Sequence, residues 1–380
     1  MNSVDEFRTR VTDGLALNLR GGNIRTMIQA TNASVWHGSL FGDEALAPLF
    51  SEIAFLDRFA RFERALTAAL RDHGLVEAAM AERALAAIAA LEPDIAAIRA
   101  GLCEDGVQVP AFVRQLKAAA GDAAVAIHVG ATSQDLVDTA TVLALKEAEP
   151  VLRARLAAVL EALDGLAARF GRRPLMGRTR MQAALPVTVG ARLAGWSEPL
   201  RRHLHRLDPV AAEAGILQFG GPVGQGPPAL GGKGPRVAES LAAELGLGVP
   251  DRPWHTDRSA LLGYAHWLTL VTGTLGKMGQ DVALMAQQGI DEIALTGGGT
   301  SSAMAHKQNP VLAEKLVAIA RFNAAQIGGL QQAMVHEQER SGSAWMLEWM
   351  ILPQMVIATG RALADAHAML GSVTRLGEAD

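Results

Sequence analysis

The chain has 380 residues, 35 of them Lys or Arg and 39 Asp or Glu, for a formal charge of −4 at neutral pH; 49% are hydrophobic and only 4% aromatic. That length can bury a large core, and an aliphatic, alanine-rich composition favours closely packed helices over a β-sandwich. The mild acidity gives no global attraction to nucleic acid or an anionic membrane surface, no run of about 18 apolar residues is present to span a bilayer, and the single cysteine, Cys103, excludes an internal disulfide or a multi-cysteine metal site and fits a cytoplasmic location.

The first 26 residues have neither the apolar core nor the cleavage pattern of a signal peptide, so residues 1–33 read as a loose tail, with Met27 a second plausible start. Helical spacing then predicts helices over 51–72, 76–99 and 109–120, within an N-terminal helical domain at 34–126. A central long-helix bundle is expected over 127–345, from helices at 133–171 (bent near Pro150), 187–214, 234–246, 257–291 and 310–340. A last helix over 343–371 supplies most of a short C-terminal helical segment, 346–380. Leu261, Leu268, Leu275 and Val282 recur every seven residues, and Ala265, Thr272, Gly279 and Ala286 repeat four positions on, a large-and-small alternation that lets long helices approach closely. A second seam runs Val189, Leu193, Trp196, Leu200, Leu204 and Leu207, and no period-two stretch suggests a sheet. The fold class is therefore all-α, and such long apolar seams predict a homo-oligomer built through bundled helices.

Three segments could carry chemistry. The first is IHVGATSQDLVDTA, Ile127–Ala140, where Thr132-Ser133-Gln134-Asp135 is a capping-box pattern before a long helix. The second is LMGRTRMQAALPVTVG, Leu175–Gly190, which crowds Arg178, Thr179, Arg180 and Gln182 ahead of Pro186; guanidinium suits bidentate carboxylate recognition, although connector cations are often merely solvated. In the third, Thr296–Leu316, Gly297 to Gly299 give a pliant loop, Ser301 and Ser302 supply hydroxyls and Lys307 a cation. Asn309-Pro310 reads as an N-cap and first-turn proline, whose unpaired N–H groups would face the loop. These residues fit an anion-binding lid, and equally a flexible connection with an ordinary cap. The glycine-rich stretch Gly220–Gly234 lacks both the glycine five positions before Gly232-Lys233 and the hydroxyl after it, so it reads as a connection rather than a phosphate loop. His203 and His205 lie two apart on a helix and point away from each other, a poor ligand pair.

The string SSAMAHKQNP, Ser301–Pro310, resembles the signature loop of the fumarase/aspartase superfamily, and the other two segments match the remaining regions where its members are most alike. One departure is Ala305, where the superfamily usually has proline. The resemblance implies an elongated all-α fold with a central helical bundle, a homotetramer, and active sites to which three chains contribute. It makes Ser301 the proton donor or acceptor, with Lys307 and Asn309 binding the carboxylate that gathers charge. Thr132, Ser133 and Ser302 become substrate-binding groups, with His128 in support.

Argininosuccinate lyases, adenylosuccinate lyases and fumarases carry a histidine after the threonine of the second motif, where this chain has Arg180, and GVQVPAFVRQL lacks the histidine that adenylosuccinate lyases have nearby. That leaves no obvious acid for a departing amine at neutral pH. The bacterial 3-carboxy-cis,cis-muconate cycloisomerases also lack the motif histidine, and the resemblance to that family runs from about residue 35 to the end, through LFGDEALAPLFSEIAFLDRFARFERALTAAL, PWHTDRSALL, VTGTLGKMGQDVALMAQ and HEQERSGSAWMLEWMILPQ. It implies ring closure of a tricarboxylate diene to a γ-lactone in aromatic-compound catabolism, with Arg178, Arg180, Arg258, Arg340, Thr179 and Gln182 available for substrate carboxylates, no metal or organic cofactor, and a reduced C-terminal helical domain. A fumarate-releasing lyase, a 3-sulfomuconate cycloisomerase and a non-catalytic helical scaffold are the competing expectations.

Overall fold

The computed structural model describes residues 35–300, 304 and 308–378. After α1 (Val35–Phe41) come α2 (Glu52–Asp72), α3 (Ala78–Ala90), α4 (Ile95–Asp105) and α5 (Val109–Ala120). The single helix expected over 76–99 is two. Pro93 lacks an N–H and disfavours helical angles in the residue before it, and Asp94 restarts the chain by accepting the Ala97 N–H at 3.0 Å.

The centre is α6 (Ser133–Phe170), α7 (Val189–Ala214), α8 (Gly234–Leu245), α9 (Ser259–Met285), α10 (Val311–Gln332) and α11 (Ser343–Gly371). Helix α8 packs on α2, tied by His73 to Ser240 at 2.9 Å and Lys233 Nζ to the His73 carbonyl at 2.8 Å, so the N-terminal group borrows a helix from far along the chain. The five long helices alternate in direction: Trp196 Nε1 donates to Asp281 at 2.7 Å, Asn323 reaches Thr272 and Thr359, and Arg258 reaches Asp138. Both seams predicted for α7 and α9 face inward, with Leu268, Leu275, Leu200 and Leu207 at 0% exposure in one continuous core.

Close approach of α9 and α10 explains the small residues of the α9 seam. A Cβ on Gly279 would lie 2.6 Å from the Ala313 carbonyl oxygen and 2.9 Å from Leu316 Cβ, inside contact distance of backbone that has nowhere to move. Gly279→Ala is therefore expected to lower stability by about 1–3 kcal/mol, read as a fall in urea midpoint with unchanged slope. A midpoint equal to or above wild type would show that the two helices can part at no cost.

Three expectations need correction. The segment at 174–188 is a β-hairpin, with β1 (Pro174–Thr179) antiparallel to β2 (Gln182–Thr188) and Thr179 opposite Gln182. Arg180 and Met181, both at positive φ (49° and 69°), form the two-residue turn that matches strand twist. Every residue of β2 is exposed, so there is no buried face to impose the alternation that marks a strand in sequence. Next, Asn309 is not a helix cap: it lies in β5 (Gln308–Asn309), paired with β4 (Gly299–Thr300), and Pro310 takes the cap position before Val311. Finally, the C-terminal part is not separate, since α11 runs unbroken from 343 to 371 as the fifth bundle helix and ends in β6 (Val373–Leu376), paired with β3 (Ile293–Leu295).

Candidate active site

Alternating helices give the bundle two ends. One end gathers the 128–132 turn, the 215–227 loop, His255–Arg258 and the 333–342 connection; the other gathers the hairpin, residues 286–300 and 308–310, and β6. The helices that run between the ends have 22 to 38 residues, so at a rise of about 1.5 Å per residue the two ends lie about 33–57 Å apart.

At the first end, the capping box is half of a larger device. Asp135, fully buried, accepts the Thr132 N–H at 3.0 Å, and its carboxylate also takes the Gly220 N–H at 2.7 Å, the Gly221 N–H at 3.1 Å and His255 Nε2 at 2.9 Å. One carboxylate thus fixes the start of α6, the glycine loop and the segment before α9. Asp135→Asn keeps one oxygen but turns an N–H₂ toward existing donors, and is expected to cost about 1–3 kcal/mol in chemical denaturation. An unchanged midpoint would mean that water can replace these bonds.

One turn on, buried Asp138 accepts from Arg258 at 2.7 and 3.0 Å, Trp345 Nε1 at 2.9 Å, and Gln134 and Gln218 amides at 3.1 Å each. Burial would push this carboxyl up, but the Arg258 charge and these hydrogen bonds outweigh it and hold the group below its ordinary value. Arg258 also donates to Glu348 at 2.8 and 2.6 Å and stacks on Trp254, with 2% exposure. The expectation that Arg258 binds a substrate carboxylate is therefore corrected: its guanidinium is sealed between two carboxylates and an indole.

Arg340 is different. It is half-buried, its Nε donates to Gln134 Oε1 at 2.9 Å and Nη2 to the Pro222 carbonyl at 3.1 Å, which sets a cation beside the half-buried Thr132 and Ser133 at the N-terminus of α6. His128 sits in the same turn with φ 61°, a strained value for a non-glycine residue. Its backbone N–H meets Glu63 Oε2 at 2.9 Å and its Nδ1 meets Oε1 at 2.5 Å, with Glu63 at 0% exposure. A helix N-terminus, two hydroxyls, a guanidinium and an imidazole converge here, a set suited to an anion.

The opposite end holds Arg178, Thr179, Arg180 and Gln182 on the hairpin, and Asn309 in β5. Arg178 is ion-paired with Glu292, which ties down the hairpin close to its turn, while Arg180 in the turn is exposed. Ser301, Ser302 and Lys307 lie outside the described residues, as does the Ala305 departure. Residues that sequence reasoning passed over are Asp135 as an organiser, Gln134, Asp138, Glu63, His255 and Glu348. The visible hint was Gln134 and Asp138 at i and i+4 in the first turns of a helix otherwise read as apolar. His203, buried against Thr274 at 3.0 Å, has its pKa lowered to about 4 by burial and then by Arg206 and Arg202, which makes it a neutral core group. No helix among the described residues is long and apolar enough to cross a membrane.

Comparison with known proteins covers both ends. Residues 51–326 match a family described as "Lyase". The chain is 39% identical over 329 residues to a 3-carboxy-cis,cis-muconate cycloisomerase from Pseudomonas aeruginosa, covering 85% of this chain and 72% of that protein. It is 36% identical over 338 residues to the Acinetobacter baylyi protein of the same name, covering 86% and 74%. The crystal structure of the 3-carboxy-cis,cis-muconate lactonizing enzyme from Pseudomonas putida superposes with a TM-score of 0.83 at 35% identity, over 90% of this chain and 77% of that one.

Proposed function

The chain belongs to this lyase family, within the fumarase/aspartase superfamily, and from that premise we propose that it is a cycloisomerase converting 3-carboxy-cis,cis-muconate to 4-carboxymuconolactone. The observation that carries the reading is the likeness to proteins of that name over 85% and 86% of the chain, with Arg180 where fumarate-releasing relatives resemble one another in having histidine.

In the proposed reaction one carboxylate oxygen bonds to a carbon of the C=C. The alkene pair moves to the neighbouring carbon, whose charge spreads onto an adjacent carboxylate, and that carbon takes a proton. A site for this needs cations and N–H groups more than a nucleophile. Ser301 is the proposed proton donor, and in the reverse direction acceptor, its alkoxide held by Lys307. Lys307 and Asn309 bind the carboxylate that gathers charge. A trianion on a protein of net charge −4 needs local cations, for which we propose Arg340 at one end of the bundle and Arg178 and Arg180 at the other, with Thr132, Ser133, His128, Thr179, Gln182 and Ser302 as further substrate contacts.

Groups at least about 33 Å apart on one chain cannot meet on one small substrate. The proposal therefore includes a homotetramer in which the Thr132 end of one subunit receives the hairpin and the 296–310 loop of others. The exposed apolar side chains of the hairpin, Met181 at 71% and Leu185 at 74%, favour such a cover. A cytoplasmic location completes the proposal, resting on one free, exposed cysteine, Cys103, in the whole chain.

The test is an ultraviolet assay of purified protein with 3-carboxy-cis,cis-muconate beside adenylosuccinate and argininosuccinate. Loss of diene absorbance with the first alone is the expected result. Fumarate released from either of the others would put the chain among the lyases, and silence with all three would make it a scaffold.

A further inference from the structure

Gln134 follows Ser133 in the first turn of α6 and is fully buried. Its amide has three partners, and they allow a single orientation. The N–H₂ donates to Asp138 Oδ2 at 3.1 Å and to the His255 carbonyl at 2.8 Å, which leaves the oxygen to accept Arg340 Nε–H at 2.9 Å. A flipped amide would set its oxygen against two acceptors and its N–H₂ against a guanidinium, all out of water. Asp138, itself held by Arg258, Trp345 and Gln218, thus decides which end of the amide meets Arg340.

The consequence lies in what Arg340 keeps. A guanidinium can grip an oxygen pair with its side edge, Nε and Nη2, or with its end edge, Nη1 and Nη2. The side edge of Arg340 is taken by Gln134 Oε1 and, at 3.1 Å, by the Pro222 carbonyl, while the remaining N–H groups of Nη1 and Nη2 have no partner among the described residues. Both anchors are neutral carbonyl oxygens, so they leave the charge uncancelled. Arg258 is held in the opposite way, its side edge on Glu348 and its end edge on Asp138, with neither an edge nor a charge left over. We propose that Gln134 is a positioning residue: it holds Arg340 by the side edge without neutralising it, and so offers the end edge of the fork to a substrate carboxylate. This rests on the reading of Arg340 as a carboxylate-binding group and adds what prepares it. A pair of parallel N–H···O bonds needs a fixed guanidinium plane, and a long side chain left to itself would have to be ordered on binding; Gln134 orders it beforehand.

Calorimetric titration of the full-length protein with tricarballylate, a tricarboxylate with no double bond to react, reads carboxylate binding apart from turnover. This proposal can therefore fail while the diene assay succeeds, and the reverse. Gln134→Met keeps the length of the side chain and removes the amide; it is expected to weaken tricarballylate about 3–10-fold, the scale of ordering one long side chain, and to raise KM for the diene alike with kcat within about two-fold. Gln218→Met is the control. Gln218 donates to the same Asp138 oxygen at the same 3.1 Å, but its other partners are Thr139 and Trp254 rather than Arg340, so this variant should lower the urea midpoint similarly and leave tricarballylate affinity unchanged. In an Arg340→Met background the Gln134 substitution should change affinity no further, because it acts only through that guanidinium. If Gln134→Met does not fold, Arg340→Lys carries the test: it keeps the charge without the two-edged fork and should bind tricarballylate at least about 3-fold more weakly than wild type. No binding by wild type, wild-type affinity in Gln134→Met or Arg340→Lys, an equal loss in Gln218→Met, or a further loss in the Arg340→Met background would each overturn the proposal.

Discussion

An Arg258→Met chain is expected to lose about 3–5 kcal/mol of stability at neutral pH, because removing one partner of a buried ion pair leaves the others uncompensated. Arg258 has 2% exposure and holds both Asp138 and Glu348, at 2% and 7%. The size of the loss should depend on pH with a definite sign. In the wild type the folded pKa of Asp138 is depressed, despite burial, by Arg258 and its hydrogen bonds, so its contribution is present above the unfolded value of about 3.9 and fades as pH falls below it. Without the guanidinium, burial is left to raise the folded pKa of Asp138, so in the variant this carboxylate costs stability at neutral pH and regains it by taking up a proton in mild acid. The gap between the two urea midpoints should therefore be widest near pH 7 and narrow toward pH 4.5. A gap that stays constant would mean that Asp138 does not remain buried and charged in the variant. A variant as stable as wild type with a much weakened substrate KM would instead restore Arg258 to substrate binding.

Ser301→Ala is expected to lower kcat by about 10²–10⁴ while leaving KM within a few-fold of wild type. The hydroxyl is asked to move a proton, which matters in the transition state; the carboxylates are bound by other groups. A serine is a weak base at neutral pH, so this role needs its alkoxide stabilised by Lys307 and by exclusion of water. Lys307→Met should accordingly depress kcat as well, and raise KM because a carboxylate contact goes with it. Turnover of Ser301→Ala at the normal rate would remove the proton-transfer assignment while leaving the fold untouched.

The bundle helices were readable because their seams are periodic and their ends are marked: Thr188 caps α7 and Gly246, at φ 63°, closes α8, whereas Asp94, the cap of α4, went unread inside the helix expected over 76–99. Where the fold escaped the sequence, the cause is physical in each case. Strand β2 has no buried face within one chain and so carries no alternation, and the turn residues of the hairpin, Arg180 and Met181, are not the glycine or asparagine that usually announce positive φ. Asn309 looked like a cap because Asn-Pro before an apolar run usually is one; here a strand pairing with Gly299 claims it first. The site was half legible. Thr132, Ser133 and Arg340 do gather at one end, but Asp135, Asp138 and Arg258 find partners 85 to 120 residues away, and no local pattern reports such a pairing. Asp135 announced its cap and hid its larger task of holding Gly220, Gly221 and His255.

A single chain keeps Arg340 at one end of the bundle and the strands that flank Ser301 at the other, so the proposed site exists only where different subunits meet. Mixing tests this directly. Ser301→Ala and Arg340→Ala chains, each nearly inactive alone, are denatured together in equal amounts and refolded. If every site draws Ser301 and Arg340 from different subunits of a tetramer, random assembly gives about one quarter of the sites both native residues, and the mixture should regain about a quarter of wild-type activity. A mixture no more active than its two components, under conditions where wild-type chains refold fully, would contradict the shared site.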